Sequence, residues 1–116
     1  MTVRRIVANL AASDPAALAT FYCELLDLEL LMDHGFINTF GSATQASVQI
    51  SAASEGGSGT AVPAVSIEVD DLDAVLDRAH QLAAPVEYGP VDEPWGVRRF
   101  YLRDPAGSLV NILSHT

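Results

Sequence analysis

Trp95-Gly96-Val97-Arg98-Arg99-Phe100-Tyr101-Leu102-Arg103-Asp104-Pro105-Ala106-Gly107-Ser108-Leu109-Val110-Asn111-Ile112-Leu113 reads as strand, tight turn, strand. Asp104-Pro105-Ala106-Gly107 supplies the turn, because proline presets φ and glycine takes φ > 0 freely. Alternation along the last strand sets Val110 and Ile112 on one face and Leu109, Asn111 and Leu113 on the other. An amide on an enclosed sheet face needs a hydrogen-bond partner, which makes Asn111 a candidate site residue.

Upstream of this hairpin, residues 64–69 alternate as a strand, and Asp70-Asp71 caps a helix with apolar positions Leu72, Val75, Leu76, Ala79 and Leu82. Pro85 ends that helix, and strands are expected near 86–88, 97–103 and 108–114. The first half has the same order. Residues 3–11 suit a strand, and Ser13-Asp14-Pro15 starts a helix with Leu18, Phe21, Tyr22, Leu25 and Leu26 on one apolar face. Strand candidates follow near 28–32, 35–41 and 45–52, with breaks at Gly35 and Gly41-Ser42. The helix starts at Asp14 and Asp71 therefore mark two copies of one β-α-β-β-β unit. The expected organisation is one domain, 1–116, with module one at about 1–53, a flexible linker at 54–60 and module two at about 61–116. The linker lacks the Gly-Lys-Ser/Thr ending of a phosphate-binding loop.

The composition is that of a globular chain: 116 residues, 49% hydrophobic and 18% charged. No apolar run approaches the ~20 residues that span a bilayer, and no secretory leader is apparent. A single cysteine, Cys23, cannot form an intramolecular disulfide, so a cytoplasmic protein is expected. Six basic against fifteen acidic residues give a net charge of −9, which disfavours nucleic acid and anionic membrane as partners.

Strand, Ser-Asp-capped helix carrying Phe21-Tyr22, duplication and closing hairpin together resemble the glyoxalase/bleomycin-resistance/dioxygenase (vicinal oxygen chelate) superfamily over essentially the whole chain. A ferredoxin-like α+β domain shares part of the pattern, but the duplication and the hairpin favour the superfamily. The resemblance implies an α+β fold of two β-α-β-β-β modules, whose curved mixed sheets form a concave cup with the helices outside. It also implies a homodimer with its cups at or near the interface.

Alternation assigns the cup-facing residues. In the first strand Ile6, Ala8 and Leu10 are expected beneath the helix, with Arg5, Val7 and Asn9 on the open side. Val65, Ile67 and Val69 are expected to pack inward, leaving Ser66 and Glu68 open. The resemblance adds Arg99 and Tyr101, which precede the turn aspartate. The superfamily's metal enzymes take ligands from the first, fourth, fifth and eighth strands. Those positions fall here on or beside Val7, on Gln49, on Ala64 or Ser66, and on Asn111 where a glutamate is usual. This set is poor in metal donors, and neither a metal nor another cofactor is expected. Of the three histidines, His34 falls in a turn, His80 on the second helix and His115 beside the C-terminus, where fraying is expected.

The resulting expectation is a metal-free protein that binds a small organic molecule. Phe36, Trp95 and Tyr101 would be walls, and Glu68 would take a cationic group. Asn9, Asn38, Gln49, Ser66 and Asn111 would orient the ligand by hydrogen bonds. Arg99 would pair with Glu68 or meet an anionic ligand. A metal-free enzyme would need a general base, for which His34 and Glu68 are the candidates, and no catalytic residue is assigned. The other readings are a glyoxalase- or dioxygenase-like metalloenzyme and an interaction module without a ligand.

Overall fold

The computed structural model describes residues 1–45 and 49–116. Part of the fourth strand candidate, residues 46–48, lies outside the described residues. The elements are β1 (Val3–Ala11), α1 (Pro15–Leu26), β2 (Glu29–Asp33), β3 (Ile37–Gly41) and β4 (Gln49–Ala53), then β5 (Val65–Val69), α2 (Leu72–Gln81), β6 (Val86–Glu93), β7 (Val97–Arg103) and β8 (Leu109–His115). They form two compact units. One comprises Val7–Val62, the other Met1–Ile6 with Pro63–Thr116, so the start of β1 belongs to the C-terminal unit.

Each unit repeats the same topology. In the N-terminal unit the strand order is β2-β3-β4-β1, with β2/β3 and β3/β4 antiparallel and β4/β1 parallel. In the C-terminal unit β6-β7-β8-β5 follow in the same way, with β8/β5 the parallel pair. Parallel neighbours need a long crossover, and the β-α-β-β-β order provides one by returning the last strand beside the first.

The helix starts are as expected. Asp14 caps α1 by accepting from Ala17 N at 3.2 Å, with Pro15 in the first turn, and Asp71 caps α2 by accepting from Ala74 N at 3.1 Å. In the closing turn Asp104 Oδ1 accepts from Ala106 N and Ser108 N at 3.0 and 2.9 Å, and Gly107 has φ 85°.

Packing departs from expectation in three places. On α1, Leu18, Ala19, Tyr22 and Cys23 pack on Phe40, Ile50 and Ala52, with the Tyr22 and Phe40 rings stacked at 5.7 Å. Phe21, Leu25 and Leu26 do not share this burial; they are 55%, 61% and 57% exposed. The helix lies against β3 and β4, so Phe21 and Leu25 fall on its flank and Leu26 in its last turn. In β1, Ile6 and Ala8 are exposed and Val7 is buried, because the strand order interposes β4 between β3 and β1. In the C-terminal unit Val65, Ile67, Val69, Val110 and Ile112 do pack with Leu72, Val75, Leu76 and Ala79 of α2, together with Phe100 and Leu102; Leu82 is exposed just past the helix end. The segment expected to be a flexible linker is a hydrogen-bonded turn. Gly56 N donates to Thr60 O at 2.8 Å, Gly59 N to Glu55 Oε1 at 3.1 Å, and Thr60 Oγ1 to Gly57 O at 2.7 Å. Among the described residues no helix is long and apolar enough to cross a membrane.

Candidate functional site

In the C-terminal unit, strand pairing arranges the sequence-chosen residues in rows. Because Phe100 and Leu102 pack beneath α2, Arg99, Tyr101 and Arg103 lie on the opposite face. Ser66 is in register with Asn111, Asn111 with Tyr101, and Tyr101 with Tyr88. The adjacent row runs Glu68, Leu113, Arg99, Val91. Ser66, Glu68, Arg99, Tyr101 and Asn111 are thus brought together on one strand face.

The electrostatics of this face are largely closed. Arg99 is only 3% exposed, and it ion-pairs through Nη2 with the buried Glu93 carboxylate rather than with Glu68. Its Nη1 donates to Tyr101 Oη at 2.8 Å. Tyr88, Trp95 and Tyr101 surround the guanidinium, with ring centroids 5.5, 4.9 and 4.8 Å from Cζ. Cation–π attraction of ~0.5–2 kcal/mol per ring favours keeping this charge in place. Trp95 therefore holds an arginine of its own chain. Glu68, half-buried, meets Arg5 Nε at 3.3 Å and His115 Nδ1 at 3.0 Å. His115 is not frayed: it is the last residue of β8, in register with Val97. At the far end of the face Arg103 makes a two-pronged pair with Glu87 at 2.9 and 3.0 Å, which holds the Glu87 carboxyl below its usual range.

Asn111 stands apart. Its Nδ2 donates to Ser66 Oγ at 3.0 Å, but its Oδ1 is buried and accepts no hydrogen bond among the described residues. The residue is 7% exposed. A buried acceptor without a donor costs ~1–3 kcal/mol.

The remaining residues singled out in the sequence lie in the N-terminal unit. Phe40 and Ile50 pack under α1, so Asn38, two residues from Phe40 and in register with Ala52, shares that helix-side face instead of the open one. Asn9 is in register with Ser51, and Ser51 with Thr39, on the face away from α1; Gln49 lies on that face beside Gly41. Here Thr39 Oγ1 and Ser51 Oγ bond each other at 2.8 Å, both buried. His34 is exposed at the β2–β3 turn, and the half-buried Phe36 precedes β3, where its carbonyl accepts from Ser54 N at 2.9 Å. Sequence reasoning passed over Tyr88, Glu93, Thr39 and Ser51. Glu93 offered one usable signal, an acid one residue before Pro94-Trp95, but nothing local ties it to Arg99.

The positions implied for metal ligands do not fit a resident divalent ion. Val7 is apolar and buried, and Ser66 and Asn111 are neutral groups bonded to each other. Such donors do not offset the dehydration of Zn²⁺, Ni²⁺ or Fe²⁺ as carboxylate and imidazole do. Among the described residues no group of three or more His, Cys, Asp or Glu is placed to share an ion.

Among solved structures, the chain is similar to a NAD-dependent benzaldehyde dehydrogenase from Legionella pneumophila, with TM-score 0.78, 16% identity, and coverage of 96% of this chain and 99% of that one. Methylmalonyl-CoA epimerase from Mycobacterium tuberculosis has TM-score 0.66 and 15% identity, covering 98% and 87%. A glyoxalase/bleomycin resistance protein/dioxygenase superfamily member from Vibrio splendidus 12B01 has TM-score 0.65 and 17% identity, covering 97% and 99%. These likenesses establish a shared α+β fold. No curated protein matches the chain in sequence. The sequence itself matches the model of one family over residues 5–112, spanning both units and the closing hairpin. By that match the chain belongs to the glyoxalase/bleomycin resistance protein/dioxygenase superfamily.

Proposed function

We propose that this protein binds a small organic molecule, without a resident metal, on the β5–β8–β7 face of its C-terminal unit. The observation that carries the reading is the orphaned Asn111 Oδ1. Buried polar atoms are nearly always satisfied, so an unpaired acceptor on the sheet face turned away from the helix marks a place for an external donor. The poor metal-donor set supports a binding role over metal-assisted chemistry. No pair of groups on this face has a nucleophile–base relationship that would favour a reaction.

The protein acts in the cytoplasm as a homodimer in this proposal. A reducing compartment suits its single free thiol, Cys23. Dimer formation is supported by the exposed Phe21, Leu25 and Leu26, whose burial against a second copy would remove apolar surface from water. Strong negative charge, −9, argues against nucleic acid as the partner.

Thermal-shift screening of the full chain against small neutral and charged organic molecules tests the binding reading. A ligand at about 100 times its Kd adds ~2.7 kcal/mol of stability. Metal analysis of protein purified without chelator tests the other half: about one equivalent of Ni, Zn, Fe or Mn per chain would overturn it. Sedimentation equilibrium of the wild type and of Phe21→Ser tests the dimer, and a monomeric wild type would remove that part.

A further inference from the structure

We infer that the ligand of this face is uncharged and is recognised by an N–H or O–H group that it donates to Asn111 Oδ1. This rests on the binding reading above and narrows it to a chemical class.

The inference comes from how the charges on the face are already used. The chain contains no lysine, and its six cations are Arg4, Arg5, Arg78, Arg98, Arg99 and Arg103. Four of these hold carboxylates: Arg5 with Glu68, Arg98 with Asp73 and Asp92, Arg99 with Glu93, and Arg103 with Glu87. The other two lie elsewhere. Arg78 is exposed on α2, and Arg4 is exposed and follows the opposite side of β1 from Arg5. An anionic ligand would have to displace Glu93 from Arg99 and leave a buried carboxylate without its counter-charge. A cationic ligand meets the same obstacle at the buried Glu93, which Arg99 holds, and at the half-buried Glu68 it would compete with Arg5 and His115. Breaking a buried pair costs far more than a new contact returns.

The buried side-chain acceptor that lacks a donor on this face, among the described residues, is a neutral amide oxygen. Asn111 Nδ2 is bonded to Ser66 Oγ, which holds the amide plane and leaves the buried Oδ1 as the acceptor without a donor. The β5 side of the row is the more open one: Ser66 and Glu68 are half-buried, whereas Tyr101, Leu109 and Leu113 are buried. A planar amide, lactam or phenol entering over Ser66 would satisfy the acceptor without disturbing any ion pair.

The test uses four molecules of nearly one shape: benzamide, methyl benzoate, benzoate and benzamidinium. Binding to the full chain is followed by NMR, at the backbone amides of Ser66, Tyr101 and Asn111 and at the Asn111 side-chain amide. Benzamide is expected to bind roughly tenfold or more tighter than each of the other three, a difference of about 1.4 kcal/mol. In Asn111→Leu, checked as folded by its own spectrum, benzamide should fall to the level of methyl benzoate; Asn111→Ala serves if the leucine variant does not fold. Benzoate or benzamidinium binding as tightly as benzamide at these residues would overturn the uncharged class and leave the binding site standing. Methyl benzoate matching benzamide would overturn the donor requirement. If none of the four reaches these residues, both this inference and the proposed binding face fall.

Discussion

The two units use their helix-free strand faces differently. On the N-terminal unit's face, Thr39 and Ser51 satisfy each other at 2.8 Å, in buried surroundings. On the C-terminal unit's face the buried charges are also matched, Arg99 with Glu93 inside a ring of Tyr88, Trp95 and Tyr101. Only there does a buried side-chain acceptor, Asn111 Oδ1, lack a donor among the described residues. Both faces are rich in polar groups, so polarity does not distinguish a structural face from a binding one. The unsatisfied atom is what sets the proposed binding face apart, because an unpaired buried acceptor costs ~1–3 kcal/mol.

The two helices differ in a parallel way. Both begin at a capping aspartate followed by an apolar stripe that packs on its own sheet. On α2 the residues turned away from the core are Asp73, Asp77, Arg78 and His80, all exposed. On α1 Phe21 and Leu25 are turned away instead. The same start signal thus serves one helix facing water and one with apolar surface left over.

Removing the Arg99 charge sharpens the contrast most. Arg99→Ala leaves Glu93 buried without its partner and should cost about 3–5 kcal/mol in urea unfolding. Its counterpart Arg5→Ala breaks the more exposed pair with Glu68 and should cost no more than about 1 kcal/mol. Equal costs would show that the Arg99–Glu93 pair is no more closed to solvent than the Arg5–Glu68 pair.

Two glycines compare the backbones of the units. Gly89, at φ 77°, would place a Cβ 2.6 Å from the Arg99 carbonyl oxygen; Gly35, at φ 79°, has open space around it. Gly89→Ala is expected to cost about 2–4 kcal/mol, through strain and backbone clash together. Gly35→Ala carries the left-handed strain alone, about 1–2 kcal/mol.

The polar atoms themselves give substitutions of opposite sign. Thr39→Val orphans the Ser51 hydroxyl and should destabilise by ~1–3 kcal/mol, with part of the loss recovered in Thr39→Val/Ser51→Ala. Asn111→Leu removes an acceptor already orphaned together with one Nδ2 hydrogen bond to the half-buried Ser66 hydroxyl, two effects of opposite sign, so the ligand-free protein should stay within about 1 kcal/mol of wild type by thermal unfolding. A loss like that of Thr39→Val would make Asn111 a structural group and weaken the case for its face.

The smallest effect concerns the start of β1. Thr2 N donates to Asp70 Oδ1 at 2.7 Å, and this hydrogen bond, more than nearby charge, holds the Asp70 carboxyl below its usual range. Its folded pKa lies below its unfolded one. The stabilisation is therefore present above the unfolded value and is lost as pH falls through the folded one. Amide exchange at Thr2 should quicken on acidification in wild type, relative to the intrinsic exchange rate, and show no such step in Asp70→Asn.

Much of this protein was readable locally. Asp14-Pro15 and Asp71 announced the helices because a capping carboxylate acts within one turn, and Asp104-Pro105-Ala106-Gly107 announced the closing hairpin because turn chemistry is equally short-ranged. Alternation placed Ser66, Glu68 and Asn111 on the open face, since side chains reverse direction at every residue of a strand, and the resemblance added Arg99 and Tyr101, which the register puts on the same face. It failed for Asn38, whose strand carried too few apolar residues to show which side packs under α1. It failed for Ile6 and Ala8 because period alone does not say whether a helix reaches the strand.

The amino-acid sequence by itself determined the repeated β-α-β-β-β plan, the helix starts, the closing turn and the superfamily, all of which follow from interactions a few residues long or from repetition. Only the tertiary structure decided that Arg99 joins Glu93 and not Glu68, that Glu68 is shared by Arg5 and His115, and that Asn111 keeps one acceptor open. The physical reason is that a hydrogen bond or ion pair depends on distances of about 3 Å between groups from different strands. Those distances are set by register and bulges, which the order of residues does not display.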